Sequence, residues 1–209
     1  MREENRTKRE EQIMAAAYGL LEARGAAGMS MLAVAKAAKA SNETLYNWYG
    51  DKLGLFRAMA LRNGEAIASR LEAALVAEAS PLETLDALGP VLLELLTGPR
   101  AVALARAAAG DATGALGAVL SEVGRARIAP MIEALCQRAL DERALRGGDA
   151  GAICETYLGL LLGDLQIRRV IHAAPPLPAA EIRSRADRAL MATWRLYARE
   201  ESGRQLHKN

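Results

Sequence analysis

A chain of 209 residues, 51% apolar and 25% charged, has ordinary soluble composition and can bury one large core or two small ones. Alanine and leucine dominate while aromatics make up only 4%, which points to an all-α protein. A net charge of +2 is too small to announce a nucleic-acid partner, but it is unevenly spread. Residues 1–62 carry ten Lys/Arg against seven Asp/Glu, and the remainder seventeen against eighteen. The N-terminal part is thus mildly basic, which is compatible with DNA without proving it.

Cys136 and Cys154 lie in no CxxC or Cys/His spacing, so no metal site is expected and a reduced, cytoplasmic compartment is. The opening MREENRTKREEQ is charged and lacks an apolar core, so no signal peptide is expected. No uncharged run approaches the length of a membrane span, and no membrane partner is expected. The sequence has no HExxH, no phosphate-binding glycine loop and no paired-carboxylate motif, and His172 and His207 have no nucleophile beside them. Neither catalysis nor a cofactor is expected on these grounds. Groups brought together by folding, or a helical module that uses its surface on another protein and not on DNA, are the rival readings.

In chain order, Ile13, Ala16, Ala17, Leu20 and Leu21 form an apolar stripe on a helix over residues 3–24, closed by Gly25. Met31, Val34, Ala35 and Ala38 recur at i, i+3, i+4 and i+7, with Ser30 as N-cap. Residues 39–41 break that pattern, and Ser41 can cap a second short helix with Leu45 and Tyr49 inward. Gly50-Asp51 ends it, and Asp51 can cap a long helix over residues 52–79 carrying Leu55, Phe56, Met59, Ile67, Leu71 and Leu75. Two short helices joined by a tight turn form a helix-turn-helix pattern.

Ser80-Pro81 starts the next helix, which Gly98-Pro99 stops, and a short one follows over residues 100–109. Residues 112–145 read as helical, with Pro130 expected to kink or interrupt them. Asp149 can cap an apolar helix running to His172. The stretch with Pro175, Pro176 and Pro178 is a rigid connector, and a last helix spans residues 179–200.

Ile13, Ala16-Ala17, Leu20-Leu21, Gly25, Ser30, Val34-Ala35, Ala38, Ser41, Thr44-Leu45-Tyr46, Tyr49, Lys52 and Leu55 together resemble the DNA-binding domain of the tetracycline-repressor (TetR) family of bacterial regulators. Thr-Leu-Tyr followed by an aromatic and a lysine at these spacings is far more specific than a bare helix-turn-helix. One departure stands out: the family usually has glycine in the turn where this chain has Lys39. The segment 134–178, with its run Tyr157-Leu158-Gly159-Leu160-Leu161-Leu162-Gly163-Asp164-Leu165, is similar to the AefR-like subgroup of the same family. The resemblance implies a three-helix DNA-binding domain over residues 1–52, a helical effector-binding and dimerisation domain over 53–201, and a flexible tail over 202–209. It also implies a homodimer acting as a regulator, a repressor before an activator, on a pseudo-palindromic double-stranded DNA operator.

On a helical projection Glu43 and Asn47 point away from Leu45 and Tyr49, with Asn42, Thr44, Tyr46 and Trp48 on the flanks. Asn pairs bidentately with adenine, Glu accepts from cytosine N4, and Thr or an aromatic meets a thymine methyl. Lys52 is placed to meet a phosphate together with backbone N–H groups. The candidate DNA-binding set is therefore Ser30, Ser41, Asn42, Glu43, Thr44, Tyr46, Asn47, Trp48 and Lys52. An effector pocket is expected from Leu71, Leu88, Leu92, Leu104, Met131 and Tyr157, with Arg106 or Glu94 as polar anchors, so a small, largely hydrophobic effector is expected. The near-continuous apolar run TYLGLLLGDLQIRRVI and the last helix are the expected dimer seam, through Tyr157, Gly159, Gly163, Ile167, Val170, Leu190 and Trp194. Gly159 and Gly163, four apart, would let another helix approach. A redox response through Cys136 or Cys154 is a variant of the same reading.

Overall fold

The computed structural model describes residues 2–198, and among them every regular element is helical. The expected end of the last helix at Glu200 and the tail from Ser202 lie outside the described residues. Helix α1 (Arg2–Gly28) is broken at Gly25, whose φ of 66° and ψ of −173° leave the helical region. It is followed by α2 (Met31–Ala37), α3 (Asn42–Tyr49) and the long α4 (Lys52–Val76). Then come α5 (Pro81–Thr97), α6 (Pro99–Ala109) and α7 (Ala115–Val123). The last four are α8 (Ala129–Asp141), α9 (Ala150–Leu162), α10 (Leu165–Val170) and α11 (Ala179–Tyr197).

These helices surround two apolar cores. The first gathers Ile13, Ala17 and Leu21 of α1, Val34 of α2, Leu45 of α3 and Leu55, Phe56 and Met59 from the first half of α4. Ala103 and Leu104 of α6 and Val119 of α7 complete it. The second core takes Ile67 and Leu71 from the other half of α4, with Leu85, Leu93, Ile132, Leu135, Ile153, Tyr157 and Ala186. Each fully buried Leu, Ile or Phe contributes about 1.5–3 kcal/mol by leaving water, so α4 is anchored at both ends by burial. Buried Gly64 lies where the two cores meet on α4, with Ile128 Cδ1 only 3.1 Å from where a Cβ would stand.

Two expectations change here. The interruption foreseen at Pro130 takes the form of a π turn (Gly124–Ile128) just before it, in which the Ala129 amide donates to the Gly124 carbonyl. Proline has no N–H for the carbonyl four residues back, and widening the preceding turn absorbs that loss. The single helix expected from Asp149 to His172 is instead two. Gly163, with φ of 49° and ψ of −131°, ends α9, and the Arg185 guanidinium caps it by donating to the carbonyls of Leu161 (2.6 Å) and Leu162 (3.0 Å). Gly163 still stands one turn after Gly159, its amide donating to the Gly159 carbonyl (2.7 Å), but it closes α9 instead of continuing it. Arg185 already occupies the space beside Gly163, 2.8 Å from where its Cβ would be.

Candidate nucleic-acid interface

Three side-chain caps fix the ends of the motif. Ser30 Oγ accepts from the Ala33 amide at 3.1 Å, Ser41 Oγ from Thr44 at 3.0 Å, and an Asp51 carboxylate oxygen from Gly54 at 2.8 Å. Each satisfies one of the N–H groups that a helix start leaves without a partner. Between α2 and α3 the chain reverses through Lys39 at φ 51°. The Ala40 amide donates to the Ala35 carbonyl (3.0 Å) and the Lys39 amide to Lys36 (3.2 Å), the paired bonds of a Schellman C-cap.

With Leu45 buried, α3 turns Asn42, Glu43, Tyr46 and Asn47 outward, Tyr46 with 49% of its surface exposed. Thr44 is half-buried, its hydroxyl 2.7 Å from that of Ser41. Trp48, expected to be exposed, is half-buried against the first core. The guanidinium of Arg6 lies 5.6 Å from its ring centre, and Tyr49 meets it edge-on at 6.3 Å. Its indole thus braces α3 against α1, a contact that local spacing does not reveal. Lys52 is also engaged, donating from Nζ to the Ala26 carbonyl just beyond the break in α1. That contact leaves two of the three ammonium hydrogens for another acceptor. Arg9, absent from the candidate set, donates from Nη1 to the carbonyls of Ala38 (3.4 Å) and Lys39 (3.2 Å).

Of the residues expected around an effector, Leu71, Leu88, Leu92 and Tyr157 meet in the second core. Leu71 and Leu88 line an open groove of about 340 Å³ between α4 and α5, beside Arg70, Glu83 and Thr84. Leu92 and Tyr157 are packed in the second core and Met131 lies against it, whereas Leu104 belongs to the first. Glu94 is exposed. Arg106 donates to the carbonyls of Val170 (2.8 Å) and Arg169 (3.2 Å), so it clamps the end of α10. Of the expected dimer residues, Tyr157 is fully buried, with its hydroxyl donating to the Leu85 carbonyl (3.0 Å), and Val170 is buried as well. Neither side chain is available to a partner. Gly159, Gly163, Ile167 and Trp194 are exposed and Leu190 is half-buried, with Leu160, Ile171, Met191 and Leu196 adding exposed apolar surface.

A sequence profile described as the AefR-like transcriptional repressor C-terminal domain matches residues 83–199, and one for bacterial regulatory proteins of the tetR family matches residues 13–59. The chain belongs to the TetR family. It is accordingly a DNA-binding transcriptional regulator and not an enzyme. The TetR fold is shared with a regulator from Agrobacterium tumefaciens at 27% identity and a TM-score of 0.74, covering 92% of this chain and 96% of that one. A TetR-family regulator from Mesorhizobium loti is similar at 24% identity and a TM-score of 0.76, covering 92% and 98%. FadR from Bacillus subtilis, solved in complex with stearoyl-CoA, has the same fold at 13% identity and a TM-score of 0.71, covering 88% and 97%. No curated protein matches the sequence. Among the described residues no single helix is long and apolar enough to cross a membrane.

Proposed function

We propose that this TetR-family chain is a cytoplasmic homodimeric repressor that sets α3 of each subunit into the major groove of a pseudo-palindromic operator. The observation that carries the reading is the outward face of α3, where Asn42, Glu43, Tyr46 and Asn47 stand exposed on a helix whose opposite side is seated through buried Leu45. In this reading residues 1–52 contact DNA, residues 53–201 bind effector and partner, and Lys52 and the hydroxyls of Ser30, Ser41 and Thr44 meet phosphates. Trp48 contributes by holding α3 in place.

The effector in this reading is small and largely apolar, entering beside α4 at the groove that Leu71 and Leu88 line. The shared fold with a FadR bound to stearoyl-CoA supports an acyl or similarly apolar ligand. Because α4 is buried in both cores, a ligand that favours one position of its second half also favours one placement of α3. A mobility shift with DNA flanking the chain's own gene tests the reading. Wild-type protein is expected to shift one fragment against excess unrelated DNA. Asn47→Ala is expected to keep binding but relax sequence choice by about 1–3 kcal/mol. Absence of any sequence-selective shift overturns the proposal.

A further inference from the structure

The turn that joins α2 to α3 is built from a residue unsuited to it. Lys39 sits at φ 51°, where a side-chain-bearing residue is crowded and glycine is not. The two Schellman bonds satisfy the carbonyls of Ala35 and Lys36 only. The carbonyls of Ala38 and Lys39 are met from outside the motif by one group, the half-buried guanidinium of Arg9 on α1. A cation at the C-terminal end of α2 also opposes the negative pole of that helix.

We infer that Arg9 is a positioning residue for DNA reading: its guanidinium holds the strained Lys39 turn and so fixes the angle at which α3 leaves α2. This rests on the proposed reading of α3 as the base-contacting helix. Arg9 needs no contact with DNA for this role. Its need follows from Lys39, because a glycine there would hold the same backbone without crowding. Both bonds are made from Nη1, one bond beyond where a lysine Nζ would end, so a lysine at this position falls short of the two carbonyls.

The experiment is a double-mutant cycle between Arg9→Ala and Lys39→Gly, read on a duplex selected from a random library by the wild-type protein. Arg9→Ala is expected to weaken binding to that duplex on the order of tenfold, the usual cost of losing charge-assisted hydrogen bonds. In the Lys39→Gly background the same change should cost about twofold or less, because the strain that Arg9 opposes is gone. Binding to non-specific DNA and the dependence of affinity on salt should not change with Arg9→Ala. Arg9→Lys, which keeps the charge, should still weaken selective binding about threefold or more.

Hydrogen exchange of the Lys39 and Ala40 amides in the free protein gives a readout that does not involve DNA. Arg9→Ala should speed it, and Lys39→Gly should restore its protection. Equal losses in both backgrounds, a fall of about 0.9 in the salt slope, or a neutral Arg9→Lys would make Arg9 a direct phosphate contact and overturn the inference. Unchanged exchange in Arg9→Ala would overturn it as well. If the wild-type chain selects no duplex, the functional reading fails, and amide exchange still decides whether Arg9 holds the turn.

Discussion

Tyr18 is buried where α1 meets α4, and its hydroxyl donates to the Met59 carbonyl at 2.6 Å. Arg100 of α6 lies 4.9 Å from its ring centre. Burial pushes its pKa from the usual 10.0 up to about 12, against the smaller opposing pull of Arg100. Tyr49 is pushed to about 12 too, chiefly by burial and then by nearby Glu10. A tyrosine whose pKa is raised on folding binds its proton more tightly in the folded state. Its contribution is therefore complete below pH 10 and is lost as pH rises towards 12. Denaturant unfolding should show stability level between pH 8 and 9 and falling steeply above 10. Tyr18→Phe should lose about 1 kcal/mol at neutral pH with the hydrogen bond, yet fall less steeply in alkali. An unchanged alkaline slope would mean that the hydroxyl reaches water. At this scale the sequence was legible wherever a contact is local, as in the serine caps and the Met31, Val34, Ala35 and Ala38 stripe. It did not reveal the carbonyls that Arg9 meets 29 and 30 residues away, or the bracing of Trp48 by Arg6.

Helix boundaries were legible to within a turn where a cap and a breaker coincide, as at Ser80-Pro81 and Gly50-Asp51. The break at Gly163 was not, because the carbonyls it frees are taken by Arg185, 23 and 24 residues further on. The packing of α5 against α11 was equally hidden. It depends on Gly89, where a Cβ would stand 2.8 Å from the Tyr157 hydroxyl and 3.2 Å from Ala186 Cβ. Two effects oppose each other in Gly89→Ala. Alanine favours the helix by about 1 kcal/mol. Overpacking costs about 1–3 kcal/mol, and displacing Tyr157 would also sacrifice its bond to Leu85. Packing should win because the methyl group meets Ala186 Cβ, one bond from the α11 backbone, and the hydroxyl of a fully buried Tyr157 that the Leu85 carbonyl already holds. The variant should melt roughly 3–6 °C lower, without losing helical signal at 25 °C. A higher melting temperature would show that α5 and α11 separate easily at this point.

For the whole molecule, the two cores share one long helix, which gives Leu55, Phe56 and Met59 to the first and Ile67 and Leu71 to the second. Ion pairs such as Arg127 with Glu65 (3.2 Å) and Glu72 (3.8 Å) run beside the shared helix, but exposed pairs of this kind stabilise by about 1 kcal/mol at most. Burial at Phe56, Ile67 and Leu71 dominates. The exposed apolar side chains are concentrated in the last three helices, where Leu160, Ile167, Met191 and Trp194 stand free, Trp194 with 48% of its surface exposed. These side chains add nothing to either core, so the burial that explains the fold does not explain them. Paired reading of one duplex requires two copies of α3 about 34–36 Å apart, or a multiple of that, and these side chains are the proposed seam that holds two copies together. Sedimentation should therefore find a dimer at micromolar concentration. Leu160→Arg and Trp194→Asp should each yield a folded monomer, since neither side chain is needed within its own chain. The monomer should bind its operator ~10²–10⁴-fold more weakly, because the second half-site is then no longer an intramolecular event. Wild-type protein that sediments as a monomer, or a monomeric variant that keeps full affinity, would rule out paired reading of the operator.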